Sequence, residues 1–300
     1  MRKSLSTGFK TAPVICALIV LATGTRAVAQ KEKQLYGFGI NSTDATYPYA
    51  GLTFDTAGNL YGTTLYGGAN NDGTVFELVK AGGHWTEKIL HSFGSGEDGF
   101  LPQAGLTFDT AGNLYGTTYE GGAHKVGTVF ELTRQSGGTW KENVLHSFNA
   151  DGADGTNPLA GLIFDTAGNL YGTTYAGGTF ASGTVFELTP KAGGGWTEKV
   201  LHSFGNGKDG IAPYAGLIVD TAGNLYGTTA LGGPFGSGTV FELARKADGI
   251  WTHLTLFGFT GGEDGAFPYA GLILDASGHL YGTTYQGGVY DVGTAFEITP

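Results

Sequence analysis

Cysteine is almost missing from this chain of 300 residues. The one copy, Cys16, lies in an apolar run near the start. The rest of the chain can therefore build neither a disulfide nor a thiolate metal site, and its stability has to come from packing. Cys16 also lacks the small residues that precede a lipid-modified cysteine. Basic residues are few: 16 Lys and Arg stand against 26 Asp and Glu, for a formal charge of −10. Such a balance argues against nucleic acid, whose phosphates require a basic footprint, and against anionic membrane surfaces. Neutral partners, cationic partners and partners held through a metal ion stay open. The apolar run itself, Ala12 to Ala22, has 11 residues, short of the ~20 that a spanning helix requires. It follows Arg2, Lys3 and Lys10 and precedes the small-x-small triplet Ala27-Val28-Ala29. That is the layout of a secretory signal peptide over residues 1–29, with Gln30 as the mature start. An uncleaved membrane anchor is the alternative. The segment holds four basic residues (Arg2, Lys3, Lys10, Arg26) and no acidic one, so its removal takes the formal charge from −10 to −14. The expectation is a secreted, periplasmic or extracellular protein with no membrane insertion after cleavage.

What the chain has in excess is glycine, 55 residues. Aromatics recur between the glycines at regular intervals, so these are turn glycines in a patterned β protein and not low complexity. Ala-Gly-Leu begins at Ala50, Ala104, Ala160, Ala215 and Ala270. An Asp-x-x-Gly turn follows each, at Asp55, Asp109, Asp165, Asp220 and Asp275, and then Leu-Tyr-Gly-Thr-Thr from Leu60, Leu114, Leu170, Leu225 and Leu280. Gly-Thr-Val-Phe-Glu-Leu, or Gly-Thr-Ala-Phe-Glu-Ile in the fifth copy, comes next. A Trp (Trp85, Trp140, Trp196, Trp251) then opens a last apolar run ending at Phe93, Phe148, Phe204 and Phe259. Each repeat reads as four short strands, a to d, with β-branched and aromatic residues in the strands and Gly, Asn and Asp in the turns. Apolar residues occupy both parities of strands a and d, so both sheet faces have to be covered. Radially stacked four-stranded blades do this.

The strand count is uneven. Strands a, b and c occur five times, but only four d strands follow a c strand. The missing one is at the other end, where Lys33 to Phe38 matches Leu256 to Phe259 and Asp44 to Pro48 matches Asp264 to Pro268. The expected fold is an all-β, five-bladed propeller over residues 30–300. Residues 31–38 would complete the fifth blade by pairing with Thr294 to Ile298, which removes open sheet edges. An open five-repeat solenoid is the alternative.

The run Asp-Thr-Ala-Gly-Asn-Leu-Tyr-Gly-Thr-Thr, then Gly-Gly, then Gly-Thr-Val-Phe-Glu-Leu, resembles the Gloeo/Verruco (GloVer-type) tandem repeat of bacterial choice-of-anchor surface proteins. The likeness covers the chain from about residue 32. The strand pattern also looks, more loosely, like blades of NHL-type propellers. The first resemblance implies export and often surface attachment, and supplies no catalytic residues. Nothing after Pro300 resembles a sorting tail, so release is expected over anchoring.

Candidate site residues follow from comparing the repeats with one another. The turn aspartates (Asp55 and its counterparts) and the strand-c glutamates (Glu77, Glu131, Glu187, Glu242, Glu297) are the same in every repeat, which assigns them to the shared fold, the glutamates to a partner on strand d. Paired carboxylates about 5 to 10 Å apart can hydrolyse glycosides, but strand c should not line the channel. His91, His146 and His202 share one position with Phe257 and Tyr36, which suggests packing. Three histidines on separate blades cannot meet one metal. The d-to-a linkers carry Asp98, Asp151 and Asp154, Asp209 and Asp264, with Asp44 as the N-terminal equivalent. Asp-Gly loops can bind Ca²⁺ or serve as ordinary turns; no other cofactor is expected. Tyr49, Tyr214 and Tyr269 start strand a in three repeats, with Gln103 and Leu159 in the other two. They share an end of the molecule with the linkers and with the variable b-to-c loops. A rigid frame carrying tyrosines and carboxylates suits carbohydrate or protein at the cell envelope. The reading is a non-enzymatic binding or structural module. The alternative is a propeller enzyme acting on glycans or lactones, though no nucleophile elbow, HExxH or converging His–carboxylate set is legible.

Overall fold

Val, Phe, Thr and Tyr crowd the segments between the glycine turns, and those segments are strands. The structure is a computed structural model that describes residues 32–41 and 43–299. The expected signal peptide lies outside the described residues. Of the unit Met1–Gln34 only residues 32–34 are described, as exposed irregular chain, and every strand belongs to the unit Leu35–Pro300. That unit is all-β, with no helix among the described residues.

The third repeat shows the plan. Ile163–Phe164, Leu170–Thr174, Thr184–Pro190 and Trp196–Ser203 form an antiparallel sheet in chain order. The second and fourth repeats copy it. The first repeat adds Ala45–Pro48 beside Leu60–Gly67, and the fifth is three-stranded, ending on Ala295–Ile298. Strands c and d slip by one residue at Val75/Phe76, Val129/Phe130, Val185/Phe186 and Val240/Phe241. Such a bulge re-aims side chains, and here it accompanies apolar residues at both parities of strand d.

Each of the first four sheets buries its face on the next. Tyr171, Val185 and Phe204 of the third repeat pack with Leu217, Leu225, Phe241 and Leu243 of the fourth, and the joints on either side use the same positions. The motif residues explain themselves at these joints. The first Thr of each Leu-Tyr-Gly-Thr-Thr reaches across to the alanine carbonyl of the next Ala-Gly-Leu: Thr63 to Ala104 at 2.8 Å, Thr117 to Ala160 at 3.1 Å, Thr173 to Ala215 at 3.0 Å and Thr228 to Ala270 at 3.3 Å. The motif glycine makes room for the strand-c phenylalanine. A Cβ on Gly172 would lie 2.5 Å from the Phe186 ring and 2.8 Å from Leu162.

The closing strand does not pair as expected. Ala295–Ile298 has Leu280–Thr283 as its one strand partner, and no strand forms over residues 32–38. Leu35 to Phe38 instead follows half of the expectation. Phe38 meets Phe76 of the first sheet edge-on at 5.0 Å, the contact that Phe93, Phe148, Phe204 and Phe259 make with the strand-c phenylalanine of their next sheet at 5.0–5.1 Å. The joint between fifth and first sheets is open. Among the described residues no bond runs from Thr283 to Ala50. Gly51 has no neighbour where Gly105, Gly161, Gly216 and Gly271 each approach the preceding repeat's glycine carbonyl. Leu52, Phe54 and Ile273 stay exposed on its two sides.

Candidate functional site

Strand a enters each sheet from a strained corner. Tyr47, Leu101, Asn157, Ala212 and Phe267 all have φ between 56° and 59°, and each precedes a proline. Bulky residues avoid that region, so the surroundings must impose it. Two backbone bonds do so at four of the five corners. At Leu101 the N–H donates to the Asp72 carbonyl of the preceding b-to-c loop, and its carbonyl accepts from Tyr119. Asn157, Ala212 and Phe267 repeat both bonds.

Two residues on from each corner stand Tyr49, Gln103, Leu159, Tyr214 and Tyr269. One from each repeat, they line a single cavity of about 310 Å³. Its tyrosines continue as an edge-to-face chain, Tyr175–Tyr214 at 5.0 Å, Tyr214–Tyr269 at 5.1 Å and Tyr269–Tyr285 at 5.7 Å. Burial, with Tyr175, Tyr269 and Tyr119 close by, raises the Tyr214 hydroxyl above its ordinary pKa, so it stays a neutral donor. The rings of Tyr49, Tyr214 and Tyr269 remain substantially open to solvent. The b-to-c loops also expose Phe180, Phe235 and Tyr290. A wall of open aromatic faces with one amide and no formal charge suits a neutral ligand with apolar faces and hydroxyls.

The linker aspartates do not join the tyrosines. None of Asp98, Asp154, Asp209 and Asp264 lines the cavity. The first three are buried and each takes the Nε2 of the preceding repeat position's histidine at 2.9 Å: His91 with Asp98, His146 with Asp154 and His202 with Asp209. Asp264, which follows Phe257, turns to the Thr260 hydroxyl and amide. The histidines are thus more than packing, although each also meets its phenylalanine edge-on at 4.7 Å.

The turn aspartates hold the repeat signature together at the other end of the sheets. Asp165 Oδ1 accepts from the amides of Ala167 and Asn169, and Oδ2 from the Asn169 side chain and the Tyr171 hydroxyl. Tyr171 lies 2.8 Å from Glu187 as well, its one proton serving two carboxylates. The strand-c glutamates therefore bond the strand-b tyrosine, and Glu131 also accepts from Asn143 on strand d. Burial and the two carboxylates raise the tyrosine pKa in every such trio described, as at Tyr61, Tyr115 and Tyr171.

These bonded positions are the ones a family would share. The model of the Gloeobacter/Verrucomicrobia repeat matches residues 25–204 and 193–300. The chain belongs to the Gloeobacter/Verrucomicrobia repeat family. No curated protein matches it in sequence. Among solved structures it is similar to a putative 6-phosphogluconolactonase from Bacteroides uniformis, at 15% identity and a TM-score of 0.51, covering 87% of this chain and 70% of that one. An endo-arabinase from Bacteroides thetaiotaomicron aligns at 13% identity and a TM-score of 0.42, over 88% and 98% of the two chains. The likeness is one of fold, and it is propeller-like.

In this Gloeobacter/Verrucomicrobia repeat chain the sequence reading passed over one acidic position. Two residues after each Trp stand Glu87, Glu142, Glu198 and His253, recurring with the repeat period, which was the available signal. Each faces the His–Asp or Tyr–Asp pair of the repeat before it. Glu87 meets Tyr36 at 3.3 Å beside Asp44. Burial first, then Asp44, pushes the Glu87 carboxyl up to about 8. Burial alone would raise Asp44 too, but hydrogen bonds from Glu87, Ile40, Tyr36 and Ala45 hold it below its usual value. Glu87 thus keeps a proton in the folded state that it loses near 4.5 when unfolded. Its stabilising contribution is whole below pH 4.5 and falls as pH rises to about 8. Glu87→Gln should leave the melting temperature unchanged at pH 4 and raise it relative to the parent at pH 8, as read by thermal melts across that range. Equal shifts at both pH values would refute the assignment.

Proposed function

We propose that this chain is an exported binding module at the cell envelope that takes a carbohydrate in the tyrosine cavity. The observation that carries the reading is convergence: five residues, one from each repeat, line one cavity, and three are tyrosines with open rings. Aromatic faces stack on the apolar faces of sugar rings, and neutral hydroxyls and an amide can bond their oxygens. The acidic, uncharged-walled setting disfavours anionic ligands.

In the same proposal the five sheets form a closed five-bladed propeller in solution. Leu35 to Phe38 would add to the free edge of Ala295–Ile298 while keeping its contact with Phe76. Two facts support closure. Apolar residues are exposed on both sides of the open joint at positions that the other joints bury wholly or in part, and an unpaired edge is a liability that rings abolish.

A glycan array tests the ligand class, comparing the parent with the triple variant Tyr49→Ala, Tyr214→Ala, Tyr269→Ala. Losing three stacking rings should weaken binding at least ~10-fold. Binding that survives at parental strength would exclude this face. Protein ligands are read by the same variant in a pull-down, and turnover of a bound glycan or lactone would favour an enzyme over a binding module.

A further inference from the structure

The second and third sheets meet at a cluster that the cavity does not use, a copy of the arrangement that His91, Asp98 and Glu142 make between the first and second sheets. His146 ends Trp140–Ser147, Asp154 lies in the linker that follows, and Glu198 sits on Trp196–Ser203 of the next sheet. One ligand atom from each, an imidazole nitrogen and two carboxylate oxygens, lies within 4.8 Å of the others. Asp154 is buried at 6% exposure and already committed. Its Oδ1 accepts from the Gly155 amide at 2.7 Å, and its Oδ2 meets His146 Nε2 at 2.9 Å and the Asn149 amide at 3.0 Å. Glu198 Oε1 is buried beside them with no hydrogen-bond partner. A buried carboxylate oxygen without a partner, next to a second carboxylate, calls for a proton or a cation.

We propose that His146, Asp154 and Glu198 bind a divalent transition cation of the zinc class. Zinc takes imidazole nitrogen at about 2.0–2.1 Å and carboxylate oxygen at about 2.0–2.2 Å, which sets the ligand atoms about 3.4 Å apart around it. His146 and Asp154 now stand 2.9 Å apart and the three ligand atoms within 4.8 Å, so side chains shift to reach that spacing. The cation gives Glu198 Oε1 its partner and offsets the two adjacent carboxylates. It sits between His146 Nε2 and Asp154, with Nδ1 carrying the ring hydrogen. An imidazole donor selects zinc-like ions over Ca²⁺ and Mg²⁺, which prefer all-oxygen sets. The His146 side chain is 20% exposed, which leaves a route in and room for a water ligand. This moves the metal expectation away from loop-borne Ca²⁺ to the contact between sheets.

The repeats themselves supply the control. Phe257 stands where His146 stands, ahead of Asp264 in place of Asp154, so this fold already accepts phenylalanine at the position. The full chain, stripped with chelator and dialysed against micromolar zinc chloride, is assayed for retained zinc by mass spectrometry and for melting temperature. The parent should retain zinc and melt higher with it. His146→Phe and Glu198→Gln should each lose about one equivalent relative to the parent, consistent with a single lost site. Far-UV circular dichroism verifies that each variant is folded. A parent that retains no zinc overturns the site, and so does either folded variant that retains zinc at the parental level. None of the three residues lines the tyrosine cavity, so the result is independent of the carbohydrate reading.

Discussion

Phe204→Ala should lower stability by about 3–5 kcal/mol, the range for emptying a buried aromatic position. Phe204 is fully buried at the joint between the third and fourth sheets, edge-on to Phe241 at 5.0 Å and near His202 and His253. Its loss opens a cavity between two sheets whose motif residues are otherwise unchanged, so collapse around it is limited. In a repeat architecture stability is largely a sum of such neighbour contacts. For a chain of this size the cost corresponds to a fall of roughly 10 °C in melting temperature. The same change at Phe38 discriminates between an open and a closed molecule. Phe38 is half-buried with the joint open, and Phe38→Ala should then cost about 1–2 kcal/mol, less than full burial implies. If Leu35 to Phe38 completes the fifth sheet in solution, the two variants should cost the same. Paired thermal and denaturant melts of Phe204→Ala and Phe38→Ala decide this, and an unchanged melt for Phe204→Ala would contradict the packing described.

Asp165→Ala should cost roughly 2–3 kcal/mol, about the worth of one charge-assisted hydrogen bond once the partial exposure of the carboxylate is discounted. Four donors lose their acceptor, two of them backbone amides of the turn that leads into Leu170–Thr174. The Tyr171 hydroxyl keeps Glu187, which limits the loss. Burial opposes ionisation of Asp165, but the bonds from Asn169, Tyr171 and Ala167 outweigh it and hold the carboxyl below 3.8. The folded state therefore binds its proton less readily than the unfolded chain. The contribution is complete above pH 3.8 and disappears as the pH falls through the lower folded value. Melts from pH 7 down to pH 2 should show parent and variant converging in acid. A gap that stays constant with pH would mean that the carboxylate charge is not what the turn uses.

The antiparallel order of the strands within a repeat and the turn role of Asp165 were legible because each depends on neighbours close in the chain. Asp-Thr-Ala-Gly-Asn carries its own hydrogen bonds, with Gly168 at φ 85°. Leu-Tyr-Gly-Thr-Thr pairs with the strand that follows it. The shared end of Tyr49, Tyr214 and Tyr269 was also legible, since strand alternation places all three there. The strand-d partner holds for Glu131, which takes the Asn143 side chain, but the strand-b tyrosine that each strand-c glutamate bonds was missed, because side-chain direction across a bulged sheet is not visible in a pattern. Asp98, Asp154 and Asp209 were grouped with the tyrosines for a related reason. A carboxylate in a Gly-rich loop looks solvated until a histidine on the preceding strand is found 2.9 Å away.

By itself the amino-acid sequence determined an all-β chain of five like units with no disulfide to hold them. Only the tertiary structure decided that one strand-a residue from each unit meets in a single cavity. It also decided that the residue two after each Trp, Glu in three repeats and His253 in the fourth, faces a His–Asp or Tyr–Asp pair of the repeat before it. Both are contacts between units about 55 residues apart, set by how sheets stack and not by any local rule. The joint between the fifth and first sheets belongs to the same class. The match of residues 33–38 to a d strand supplied its apolar face, which is found on Phe76. Its pairing with Ala295–Ile298 depends on closing a loop of the whole chain, and no local pattern controls that.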